Sequence, residues 1–93
     1  MAKSIVVAAG AGDTQAAIGA FTLVGCSVRE SAGAAAAAAL VLRDGTGTGD
    51  PARFFIELAA NESKLLTLPA VEFTNGIFVD RESGTSELVL YYS

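Results

Sequence analysis

The sequence predicts an all-β protein, an antiparallel β-sandwich or jelly roll of seven to eight short strands. Three observations predict it. Short apolar segments recur roughly every ten residues, each bounded by Gly, Asn, Asp or Pro. The segment Arg53 to Ala59 alternates cleanly, with Phe54, Ile56 and Leu58 on one face and Phe55, Glu57 and Ala59 on the other. Three apolar runs end in an arginine, an acid and a glycine turn: Val28-Arg29-Glu30-Ser31-Ala32-Gly33, Leu42-Arg43-Asp44-Gly45 and Val79-Asp80-Arg81-Glu82-Ser83-Gly84.

Residues 1–17 read as an N-terminal arm or short strand, with Ser4 to Ala8 extended, Gly10, Gly12 and Asp13 as breakers and Thr14 to Ala17 uncommitted. The sandwich domain is expected over 18–93. Its first strand is Ala20 to Glu30, where apolar residues occupy both alternation faces at the start and one face near Arg29. The Ala34 to Ala39 run is open to two readings. Alanine is the best helix former, but Gly33 before the run and Leu40-Val41-Leu42-Arg43-Asp44-Gly45 after it favour a strand entering a turn. Asp44 to Pro51 is expected as a flexible hairpin loop, and Ser63 to Leu68 as a strand closed by Pro69. Asn75-Gly76 is the preferred type I′ hairpin dipeptide. Ile77 to Glu82 and Glu87 to Tyr92 complete the strands.

Composition bounds function. The chain has 93 residues, 52% of them hydrophobic, and its mean hydropathy is +0.48. A chain this short and apolar is expected to cover part of its surface with a partner, so oligomerisation is inferred. The net charge is −4 and the six basic residues are scattered, which argues against a nucleic-acid backbone as partner. The longest low-polarity run, Ala34 to Leu42, is far short of a membrane span. Lys3 and the apolar residues behind it mimic a signal peptide only faintly, so a soluble protein made in a cytoplasm is expected.

Chemistry is sparse. With no histidine, Ser-His-Asp and Cys-His catalysis is excluded. Cys26 is the single cysteine and reads as a small buried hydrophobe. Asp80 and Glu82 share a strand face but lack an apolar setting that would raise one pKa. The Gly45-Thr46-Gly47-Thr48-Gly49-Asp50 stretch lacks the lysine and helix of a phosphate loop. Asp44 and Asp50 could share a calcium ion through intervening carbonyls, but a plain hairpin is the simpler reading. No enzyme, cofactor or metal site is expected.

The string Phe21-Thr22-Leu23-Val24-Gly25-Cys26-Ser27-Val28-Arg29-Glu30-Ser31-Ala32-Gly33 resembles a pattern in small virion-associated proteins of tailed bacteriophages. Leu42-Arg43-Asp44-Gly45, Ala60-Asn61-Glu62-Ser63 and Thr74-Asn75-Gly76-Ile77-Phe78-Val79-Asp80 extend the resemblance over residues 20–92. Cys26 departs from it, because an aromatic residue is common there. The resemblance implies a β-sandwich on the particle surface, a trimeric capsid decoration (cement) protein whose partner is the major capsid protein. It brings no catalytic residues. On this reading Ile5, Val6 and Val7 are capsid-facing anchors, and Arg29, Glu30, Arg43 and Arg81 sit at subunit seams. Tyr91 and Tyr92 make the last strand an apolar edge that needs a partner. The alternative is a head- or tail-fibre module holding host glycans through Tyr91, Tyr92 and the glycine-rich loop.

Overall fold

A computed structural model describes residues 3–93. Met1 and Ala2, the first residues of the expected arm, lie outside the described residues. Eight strands follow one another: β1 (Lys3–Gly10), β2 (Thr14–Ile18), β3 (Phe21–Glu30), β4 (Ala38–Asp44), β5 (Ala52–Leu58), β6 (Ser63–Phe73), β7 (Gly76–Ser83) and β8 (Ser86–Tyr92). They form two four-stranded sheets, ordered β1-β8-β3-β6 and β2-β7-β4-β5, and every pairing is antiparallel. The first strand pairs with the last, the second with the seventh, the third with the sixth and the fourth with the fifth. That nesting is one long hairpin rolled up on itself, the jelly-roll form of the sandwich. Of the two forms expected for the first segment, the structure has the strand: β1 and β2 each belong to a sheet.

Inward residues of both sheets build the core. Val7, Leu23, Cys26, Val28, Phe73, Leu88 and Leu90 come from the first sheet. Ala38, Leu40, Leu42, Ile56, Leu58, Ile77 and Val79 come from the second. The β5 alternation holds: Ile56 and Leu58 are buried, Phe54 packs partly against them, and Phe55 and Glu57 are exposed.

Four local expectations are corrected by the tertiary pairing. First, the double-faced start of β3 is a bulge. Leu23 pairs with Tyr92 and Gly25 with Tyr91, so Val24 is an extra residue. The bulge reverses which residues face inward, from Phe21 and Leu23 to Cys26, Val28 and Glu30. Second, Pro69 does not end its strand. Leu23 faces Val71 while Gly25 faces Thr67, so β6 absorbs Pro69 and Ala70 (φ 63°) as a wide bulge. It can do so because it is an edge strand, where a missing N–H costs no ladder bond.

Third, the alanine run is neither helix nor, for the most part, strand. Residues 31–37 are irregular and Gly33 to Ala37 are exposed; strand geometry begins at Ala38, the first residue with a β5 partner. Fourth, Asn75-Gly76 does not close a hairpin. It lies between β6 and β7, which belong to different sheets, and Asn75 lacks the positive φ that a type I′ turn requires. The corner is held from outside: Asp44 accepts hydrogen bonds from Thr74 N (3.0 Å), Thr74 Oγ1 (3.0 Å) and Asn75 N (2.8 Å). Among the described residues only β4 and β5 form a local hairpin, as expected for Asp44 to Pro51.

Close approach of backbone carbonyls requires glycine at several positions, Gly84 and Gly25 among them. At Gly84 (φ 72°) a Cβ would lie 2.6 Å from Ala37 O. At Gly25 it would lie 2.8 Å from Leu66 O, and the Tyr91 ring rests over the space that remains.

Candidate interaction face

Adjacent side chains on a strand point to opposite faces, and this splits each arginine–acid pair. In the first two copies one charge is buried as a pin for distant loops and the other stands on an outer face; in the third both Asp80 and Arg81 are buried. Glu30 is buried, and its carboxylate accepts from Ala32 N (2.6 Å) and Asn61 N (2.8 Å), tying the alanine loop to the β5–β6 turn. Those backbone donors hold its pKa below the usual carboxylate range. Asp44, 3% exposed, pins the β6–β7 corner, and its backbone donors lower its pKa to about 2.

Arg81 is the third pin. It was expected at a seam between subunits; the structure turns it into the sandwich, 7% exposed. All five guanidinium N–H groups have an acceptor. Nε donates to Ser86 Oγ (3.1 Å), Nη1 to Gly12 O (2.7 Å) and Thr14 Oγ1 (2.9 Å), and Nη2 to Ala8 O (2.9 Å) and Ser86 O (3.0 Å). Burial lowers its pKa and nearby Asp13 opposes that shift. The carbonyls it binds come from segments far apart in sequence, so no local pattern announces the role. Glu30 is likewise enclosed within its own chain.

The outward charges pair across strands. Arg43 Nε meets Asp80 Oδ2 at 2.9 Å and its Nη1 donates to Asp50 O at 3.1 Å. Arg29, whose side chain is well exposed, pairs with Glu87 at 2.5 Å. Asp50 Oδ2 accepts from Thr46 N and Gly47 N, so it closes its own loop. With Asp44 committed to the corner, the two carboxylates once weighed as a calcium pair serve separate backbone donors. Among the described residues no group of three metal-capable side chains gathers. An open depression of about 310 Å³ near Phe21, Phe73 and Ser93 has Glu72 as its charged side chain and nothing positioned to react with a ligand.

The two outer faces differ in character. That of β2-β7-β4-β5 carries Arg43, Asp80, Arg53 and Glu57. That of β1-β8-β3-β6 carries two uncharged rows running across all four strands. Val6, Val89, Ser27 and Leu65 are in register in one, and Ser4, Tyr91, Gly25 and Thr67 in the next. Val6 is 72% and Leu65 76% exposed. The Arg29–Glu87 pair closes the face at one end and cancels its own charge.

Of the residues named from sequence, this face brings together Val6, Arg29 and Tyr91. Ile5 and Val7 point into the core, Val7 being 2% exposed, so of the three expected anchors Val6 alone is presented. Tyr92 packs edge-on against Phe21, with centroids 5.0 Å apart. Leu65 was missed; its outward position follows from Leu66 and Leu68 sharing the inner face. No helix among the described residues is long and apolar enough to cross a membrane. Comparison with protein-family models, curated proteins and solved structures found nothing that matches this chain.

Proposed function

We propose that this chain is a structural virion protein. It is a decoration (cement) protein that lays the outer face of β1-β8-β3-β6 on the outside of a phage head, between units of the major capsid protein. The observation that carries the reading is the uncharged band across that face, from Val6 to Leu65. A protein that is −4 overall and keeps an uncharged band with exposed Val6 and Leu65 across one face is suited to a broad protein surface. The sequence resemblance to virion-associated proteins supports the same reading. Adhesion of this kind adds contacts across a shell without needing a reactive group. Covering Val6 and Leu65 would contribute roughly 1.5–3 kcal/mol each.

The test adds purified protein to capsids assembled without it. Co-sedimentation and a higher disruption temperature are expected. Val6→Asp and Leu65→Asp should keep the parent melting temperature and lose capsid affinity by at least tenfold. Capsids that neither bind the protein nor gain heat resistance would overturn the proposal.

A further inference from the structure

The Asn75-Gly76 pair closes no hairpin, and its surroundings suit a different chemistry. Asn75 lies between β6 and β7, in neither strand, and is exposed. Its side-chain amide is held by Nδ2 donating to Thr74 Oγ1, its own neighbour, at a long 3.3 Å. Gly76 brings no side chain to shield the peptide between them. None could be added, since a Cβ there would lie 2.7 Å from Ala17 O at φ 142°.

The nitrogen of that peptide is also unengaged toward β4. Gly45 N donates to Gly76 O at 3.2 Å, and a regular antiparallel pair would return a bond from Gly76 N to Gly45 O. The return bond is not formed; Gly45 O accepts from Gln15 Nε2 instead, at 3.0 Å. On the far side of the same peptide Asn75 O accepts a 3.4 Å bond from Gly19 N. That bond draws electron density from the peptide and makes its N–H more acidic.

We propose that Asn75-Gly76 is a self-modifying site that turns asparagine into aspartate and isoaspartate in the folded chain. Gly76 N gives its proton to solvent base and bonds to Asn75 Cγ. The Cγ–Nδ2 bond breaks, ammonia leaves, and a cyclic succinimide remains. Water then adds to one ring carbonyl and the ring opens. Addition at Cγ gives aspartate. Addition at the main-chain carbon gives isoaspartate, whose main chain runs through the former side chain. Solvent water supplies the oxygen, and no oxidant or reductant enters.

The product lands on a corner that is sensitive to charge. Thr74 N and Asn75 N both donate to Asp44, so either product sets a second carboxylate beside one that is 3% exposed. Like charges held that close oppose each other. Arg53 Nη2, 3.5 Å from Asp44 Oδ2, is the cation that faces them. Isoaspartate also adds a main-chain atom between Thr74 and Gly76 and draws the corner out of Asp44's grip. The chain passes from one sheet to the other here, so the change loosens a join between the sheets. The site uses neither outer face and is independent of the virion reading.

Asn61 is an internal control: Glu62 follows it, and its N–H is held by Glu30 Oε1 at 2.8 Å. The full chain is kept in warm, mildly alkaline buffer, folded or in urea, and peptide mapping by mass spectrometry follows both. Residue 75 should convert in the folded chain at a rate within tenfold of the unfolded one, with ammonia released in equal amount. Asn61 should convert at least tenfold more slowly. Asn75→Gln should keep the parent melting temperature and slow ammonia release at least tenfold. The aged chain should melt below the fresh one, and Asn75→Asp should reproduce part of that fall. Folded-state conversion more than tenfold slower than unfolded, conversion at Asn61 first, ammonia release from Asn75→Gln at the parent rate, or an aged chain with an unchanged melting temperature would each overturn the proposal.

Discussion

Replacing Arg81 by methionine keeps an unbranched side chain of similar reach and removes every donor. Three backbone carbonyls, Ala8 O, Gly12 O and Ser86 O, then lose their partner. Each costs about 1–3 kcal/mol if it stays dry. The hydroxyls of Thr14 and Ser86 can rotate to other partners and add little. Relief from holding a charge out of water offsets part of the loss. A net loss of about 3–5 kcal/mol is expected, against a total stability of about 5–15 kcal/mol for a domain of this kind. At roughly 4–8 °C per kcal/mol the melting temperature should fall by about 12–40 °C. Urea unfolding followed by circular dichroism measures this directly, and amide exchange should quicken first over residues 8–14, the segment the guanidinium ties down. Arg81→Lys, with three donors on a point charge, should recover only part. An Arg81→Met chain within about 1 kcal/mol of the parent would refute the account.

Three further outcomes are expected. Asp44 has its pKa lowered to about 2 from an ordinary 3.8, so the folded chain takes up the proton less readily than the unfolded one. The stability it contributes is present above about pH 4 and lost as pH falls toward 2; Asp44→Asn should cost about 1–3 kcal/mol at neutral pH and flatten the acid limb of a melting-temperature profile, and an unchanged limb would refute this. Gly84→Ala should destabilise by more than about 1 kcal/mol in urea titration, because Ala37 O and Ala38 leave no room for a methyl group at that positive φ. Burial pushes the Cys26 thiol up to about 11, so alkylation should be slow in the native state and track urea unfolding; rapid native labelling would contradict the packing.

How far the fold could be read from sequence depended on whether its cause was local. The β5 strand was legible because its alternation is uninterrupted and one face is core. The β3 parity break was visible as apolar residues on two faces, but a bulge at Val24 exists only in relation to β6 and β8. Asn75-Gly76 has the chemistry of a hairpin turn; nothing within those residues says that the flanking strands belong to different sheets. The alanine run takes no helix either: Ala38 and Ala39 are paired in β4, and Ala34 to Ala37 form an exposed irregular loop. The charges followed the same rule. Strand alternation puts Arg29 and Glu30 on opposite faces, and the structure has Glu30 buried and Arg29 exposed. Which member is enclosed depends on the carbonyls and amides that other segments bring, and Arg81 was assigned to the outside for want of them.

The nested order of strand pairing also sets a timetable for synthesis. β4 and β5 are neighbours in the chain and can close as soon as both exist, after which β3 meets β6 and β2 meets β7 across ever longer loops. Of these eight strands β1 is made first and paired last, since its one ladder partner is β8 and Lys3 faces Tyr92. Until β8 is made, Ile5, Val6 and Val7 have no ladder partner. A chain stopped before β8 would carry that segment with nothing to pair it. The C-terminal strand is therefore the latch of the whole roll.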